Sequence, residues 1–222
     1  MRYEMISSET FPVLEVTLAR GEQFVAESGA MSWMSPQIDM KTSTRGGMLT
    51  GLKRKMLGGE SLFQNTFSTK AAEATVGIVP GKPGTLVQIE MAGRELFLEK
   101  GAYVASTPGV VLDTKFGGLK GLFNEGLFVL KASGTGTMFF SGYGAVTTVE
   151  VNGEYIVDNG YAVAWDGSLD YSITKAKKIR SFLFGDQLLL KFRGRGVVWV
   201  QSRSGVSLAN FIYPFRRVKR KG

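Results

Sequence analysis

The chain contains itself three times, and this restricts its fold more than any other feature. Residues 21–33 read Gly-Glu-Gln-Phe-Val-Ala-Glu-Ser-Gly-Ala-Met-Ser-Trp, and residues 153–165 read Gly-Glu-Tyr-Ile-Val-Asp-Asn-Gly-Tyr-Ala-Val-Ala-Trp. They align without a gap, with Gly21/Gly153, Glu22/Glu154, Val25/Val157, Ala30/Ala162 and Trp33/Trp165 identical. A third copy, 93–105, keeps Gly93 and Ala102 and shares Glu99 and Gly101 with the first copy. A second segment recurs too. Residues 130–141 match 190–201 at a spacing of 60, the spacing that also separates Gly93 from Gly153. Residues 70–76 are a weaker first copy of it. Two independent segments at one spacing mark a structural unit whose copies pack against each other.

The units read as short strands. Alternation is clear in 146–151 (Val-Thr-Thr-Val-Glu-Val) and 197–200 (Val-Val-Trp-Val), and 29 Gly against 6 Pro supply tight turns. The expected class is all-β: three-fold internally repeated β-sandwich or barrel-like units, with at most one short helix near 48–57. The units span about 1–80, 81–140 and 141–215 with no linker between them, so one compact body is expected, followed by a basic tail at 216–222. The Gly134-x-Gly136 and Gly194-x-Gly196 steps are read as strand bends. A nucleotide fingerprint needs a third Gly and a following helix, and β-type sequence follows both.

There is no His and no Cys. Disulfides, thiolate metal sites and Ser-His-Asp or Cys-His catalysis within one chain are thereby excluded. Lys, Tyr or carboxylate chemistry and an oxygen-only cation site stay open. Glu22 and Glu154 follow Gly at equivalent turns but show no acid/base constellation, so the expectation is a non-enzyme with no cofactor. The start of the sequence lacks an apolar leader, and no apolar run reaches the length of about 18 residues that a membrane helix needs. A cytoplasmic protein is expected, with a peripheral membrane position left open.

Net charge is +8, and much of it lies in Arg216, Arg217, Lys219, Arg220 and Lys221. This tail reads equally as a site for anionic lipid or nucleic acid and as a solubilising end. A second cluster, Lys53, Arg54 and Lys55, sits in an apolar, Gly-flanked stretch. The leading reading there is a lid helix with its charges in water, and the sharper one an interfacial helix that touches anionic lipid or a partner. These eight residues are the candidate partner- or anion-binding set. Lys175, Lys177, Lys178 and Arg180 read as a solvated strand edge. Trp33 and Trp165 read as core or inter-unit packing. Phe211, Tyr213 and Phe215 alternate, as the end of a last strand would.

The stretch 51–63 (Gly-Leu-Lys-Arg-Lys-Met-Leu-Gly-Gly-Glu-Ser-Leu-Phe) resembles the signature of the altered-inheritance-of-mitochondria, or mitochondrial biogenesis, family. So do 21–34, and 139–144 (Phe-Phe-Ser-Gly-Tyr-Gly) with the 153–165 copy behind it. The resemblance covers nearly the whole chain apart from the tail. It implies a repeated β fold similar to that of the tryptophan RNA-binding attenuation protein, and a homo-oligomer, with a trimer favoured. Its mitochondrial members are associated with inner-membrane organisation, and it offers no catalytic residue to carry over. The leading functional expectation is a non-enzymatic oligomeric scaffold or interaction protein. The alternative is RNA binding through the basic surface and tail.

Overall fold

The structure, a computed structural model, describes residues 1–7, 11–44, 63–99, 101–113, 129–175 and 188–216. An added strand, β1 (Arg2–Ile6), precedes three units of six strand positions each. The first unit holds β2 (Val13–Ala19), β3 (Gln23–Glu27), β4 (Met31–Met34), β5 (Ile38–Thr44), β6 (Phe63–Thr69) and β7 (Glu73–Ile78). The second holds β8 (Leu86–Glu90), β9 (Leu96–Glu99), β10 (Tyr103–Ser106), β11 (Val110–Asp113), β12 (Val129–Gly134) and β13 (Thr137–Ser141). The third uses β14 (Val146–Asp158), β15 (Ala162–Asp166), β16 (Asp170–Lys175) and β17 (Leu188–Gln201). Here β14 serves as positions one and two, and β17 as positions five and six.

One pairing rule runs through all three. Position six lies between one and three, and position five lies between two and four. Gly153 and Gly194 face each other where β14 and β17 pass from one half of the unit to the other. Both have positive φ, 113° and 118°, which a residue with a Cβ adopts only under strain. A register shift recurs at position three of every unit, between Met31 and Trp33, Tyr103 and Ala105, and Ala162 and Ala164. A β-bulge kept within one residue of the same place in three copies is a built feature of the unit.

The units are joined by their second and third strands. β3 of the first unit pairs β10 of the second, and β9 of the second pairs β15 of the third. Two of the three sheets therefore cross a unit boundary, and each core borrows from a neighbouring unit. Phe24 and Phe67 pack with Phe139, Val104 and Ala105. Leu96 and Leu98 pack with Val163, Ala164 and Trp199. Trp165, Phe192 and Leu190 fill the third core, with Phe97 against it.

The two ends of the row differ. One end carries the one-to-two turns at Gly21, Gly93 and Gly153. The other carries the two-to-three turns, which are tied to the ends of position six by equivalent bonds. In these, Val79, Ser141 and Gln201 donate their N–H to Ala30, Ala102 and Tyr161. At this second end Ser28 N–H also reaches Phe63 O, and Asn159 N–H reaches Leu188 O. The ends of β5/β6 and β16/β17 are thus fixed there, and Val129 opposite Glu99 places the end of β12 likewise.

The described helix is not at 48–57, which lies outside the described residues. It is α1 (Gly205–Ile212), followed by a 3-10 turn, Tyr213–Phe215. The strand expected through Phe211, Tyr213 and Phe215 is thus corrected to helix. The third unit already has its six positions filled when β17 ends at Gln201, so the repeat has no seventh position for another strand. Ser204 caps the helix by accepting from Ser207 N–H. Pro214 has no N–H to give a ladder, and it suits the first positions of the turn.

Two glycines separate strain from crowding. A Cβ on Gly153 meets nothing within 4 Å, whereas one on Gly134, at φ 99°, would stand 2.3 Å from Gly109 O. Gly153→Ala is expected to cost about 1–2 kcal/mol in urea unfolding. Gly134→Ala should cost clearly more, because backbone must move as well. Equal losses would contradict the assigned geometry.

Candidate interaction surfaces

Repeats that join by strand pairing leave two unpaired strands at the ends of the row. Among the described residues β4 ends its sheet, and so does the part of β14 after Gly153. These are position three of the first unit and position two of the third, the pair that joins units elsewhere. Both expose large apolar side chains, beside Ser32 on β4 and Glu154 on β14. Trp33 is 40% exposed, Met34 38%, Tyr155 43% and Ile156 49%. Trp33 lies flat over Gly77, where a Cβ would come within 2.2 Å of the indole. Its repeat equivalent, Trp165, is fully buried, and Phe97 of the preceding unit lies opposite it in the ladder. Trp33 is exposed because, among the described residues, no strand pairs with β4 on the side where β9 covers Trp165.

A second surface is α1 with the turn after it. No residue of either is buried. Phe211 is 69% and Phe215 76% exposed, with Val206, Leu208, Ile212 and Tyr213 also exposed. The Arg216 guanidinium stacks 3.8 Å from the Tyr213 ring centre, a cation–π contact. Beside α1 a cleft of ≈ 610 Å³ is lined by Lys82, Glu99, Tyr143, Gln201, Ser204 and Val206, among others. The Lys82 ammonium and Glu99 carboxylate pair there at 3.0 Å.

The carboxylates at equivalent turns serve structural pairing. The Met1 ammonium donates to Glu22 at 2.6 Å, and Ala19 N–H donates to the same carboxylate at 2.8 Å. Together they hold Glu22 below its usual range. Lys191 and Arg193 contact Glu154 at 2.7 and 2.9 Å and hold it low likewise. A depressed carboxylate supports folding above its unfolded value, and that support is lost as pH falls through the folded one. Glu22→Gln is therefore expected to flatten the dependence of Tm on pH below about 4.5, at a cost under about 1 kcal/mol near neutrality because the pair is partly exposed. An unchanged acid limb would exclude the contact.

Of the candidate binding set, Arg216 is described and projects beside Tyr213. Lys53, Arg54, Lys55, Arg217, Lys219, Arg220 and Lys221 lie outside the described residues. Lys175 ends β16, which among the described residues pairs with β17 alone and so stands at an edge; Lys177, Lys178 and Arg180 are not described. Among the described residues no three Asp or Glu gather as a metal site would need. No described helix is long and apolar enough to cross a membrane. The reading of the residues missed Met34, Tyr155 and Ile156. The signal was present: three units joined by two junctions leave one donor and one acceptor strand over.

The match to the family of mitochondrial biogenesis proteins named AIM24 spans residues 3–203, all three units. The chain belongs to this family. An uncharacterized protein of Streptococcus pyogenes serotype M6, M6_Spy0233, is 28% identical over 213 residues, covering 91% of this chain and 86% of that protein. The crystal structure of SPYM3_0169, also from Streptococcus pyogenes, superposes with a TM-score of 0.80 at 24% identity, covering 97% of this chain and 99% of that one. That likeness shows the fold. AIM24 membership thus applies to the strand body. The match ends two residues before α1 begins, and the helix and the basic residues after it lie beyond it.

Proposed function

We propose that this AIM24-family protein is a non-enzymatic scaffold that assembles head to tail, β14 of one copy adding to β4 of the next. The supporting observation is that the same junction is made twice inside the chain. By repeat spacing, the β3–β10 and β9–β15 registers put Trp33 opposite Val157 or Asp158, and Met34 opposite Ile156 or Val157. The incoming strand covers Trp33 as β9 covers Trp165. Unpaired apolar edges of this kind are otherwise blunted by charge, Pro or a covering segment. A head-to-tail contact closes into a ring or continues as a filament. Three chains would close nine units, which is the trimer that the family resemblance implies. The assembled body presents flat symmetric faces to partners.

Light scattering on the purified full chain tests this. The expected mass is a multiple of 24.2 kDa, three-fold for the closed trimer, at micromolar concentration. A mass of one chain at all concentrations overturns the proposal.

A further inference from the structure

We infer that α1, its following turn and Arg216 form a docking surface for an anionic lipid bilayer, independent of the edge-to-edge assembly. Three observations meet there. The first is a capped helix and the turn after it, with every residue exposed and six large apolar side chains among them, three of them aromatic. Water is a poor neighbour for such a surface, and a short helix of this kind finds a stable one at the headgroup–acyl boundary. Aromatic side chains are favoured at that depth. The second is sign. From residue 203 onward the sequence carries no acidic residue, and Arg203, Arg216, Arg217, Lys219, Arg220 and Lys221 are all basic.

The third is where the basic segments of the sequence join the described strands. Segments 45–62, 114–128, 176–187 and 216–222 hold 14 of the 27 Lys and Arg and three of the 19 Asp and Glu. The remainder of the chain is net negative. The described residues that flank the first three are Thr44/Phe63, Asp113/Val129 and Lys175/Leu188. These sit at the end of the row that carries the two-to-three turns. α1 starts at the same end, where Ser204 lies against Gly160 and Val206 shares a cleft with Gly101 and Lys82. Positive sequence is thus attached at the end that carries the apolar helix, and the strand body stays mildly acidic.

A bilayer of anionic lipid supplies both partners such a surface asks for, phosphate charge and hydrocarbon. Nucleic acid supplies only the charge and would leave Val206, Leu208 and Ile212 in water. A second copy docked through the same end would bring like charge against like charge.

The test is flotation of the full chain with vesicles of equimolar phosphatidylglycerol and phosphatidylcholine, and with phosphatidylcholine alone, at ~50 mM salt. Partitioning onto the anionic vesicles is expected to exceed that onto the neutral ones by about tenfold or more. The double variant Phe211→Ser/Phe215→Ser alters only exposed side chains, and its melting temperature verifies folding. It should lose about tenfold in partitioning. Arg216→Glu/Arg217→Glu should lose as much at low salt and less at high salt. Failure of the wild type to float overturns the inference, as does flotation unchanged in the serine variant. So does a serine variant whose only defect is a smaller oligomer, or one in which RNA binding falls and vesicle binding does not. A chain made monomeric at β4 and β14 should still float, more weakly, so failure here is distinguishable from failure of the assembly.

Discussion

Placing lysine at both Met34 and Ile156 is expected to leave a folded monomer of 24.2 kDa where the unaltered chain assembles. The two side chains lie on strands that end their sheets, and both are well exposed, so the charges cost the single chain little. In an assembled junction they would sit within about a residue of each other across the ladder. Two like charges facing each other in a partly buried ladder oppose pairing, and edge lysines are a common device against it. The dissociation constant should rise about 100-fold or more, an effect of roughly 3 kcal/mol. The single variants carry more information. Met34→Lys spoils β4 and spares β14, while Ile156→Lys spoils β14 and spares β4. Each alone should fail to assemble. Mixed, they should form one junction and stop at two chains, because the two remaining edges are both spoiled. A two-fold contact through either edge alone would not behave so. Light scattering on the mixture decides, and a mixture that regains the full assembly would sink the head-to-tail geometry.

The repeat could be read from the sequence because its glycines do work that few other residues can. Gly21, Gly93 and Gly153 all have positive φ, so the same residue type recurs wherever position one turns into position two. The strands at 146–151 and 197–200 were legible for a similarly local reason, their β-branched and aromatic content, although burial along them does not strictly alternate. Two things were not legible. The segment through Phe211, Tyr213 and Phe215 reads apolar on alternate residues, and only the completed six-position unit before it and Pro214 in the turn after α1 decide for helix. That information is tertiary. The exposure of Trp33 was also hidden, since its repeat equivalent is core. Sequence identity between positions equates their local geometry, not their neighbours, and the first unit lacks the neighbour that the third one has.

That difference makes a second large effect testable. Trp165 is fully buried among Phe192 at 5.4 Å, Tyr171 at 4.9 Å and Phe97 at 6.0 Å between ring centres. Trp165→Ala removes the centre of the third core and should destabilise by about 3–5 kcal/mol, a large share of a domain's usual stability. Trp165→Phe should recover much of that. It keeps an aromatic face, and the indole N–H it deletes has no hydrogen-bond partner among the described residues. Trp33→Ala, at the equivalent repeat position, should cost about 1–2 kcal/mol in a chain held monomeric by the edge lysines. In the assembling chain its cost should approach that of Trp165→Ala, since a neighbouring β14 then covers the indole. Urea unfolding of each variant in both backgrounds gives four values. The assembly reading requires the Trp33 value, and not the Trp165 value, to depend on the background. If both tryptophans cost the same in the monomer, Trp33 is core in its own right, and the unpaired edge is no longer a reason to expect a second copy there.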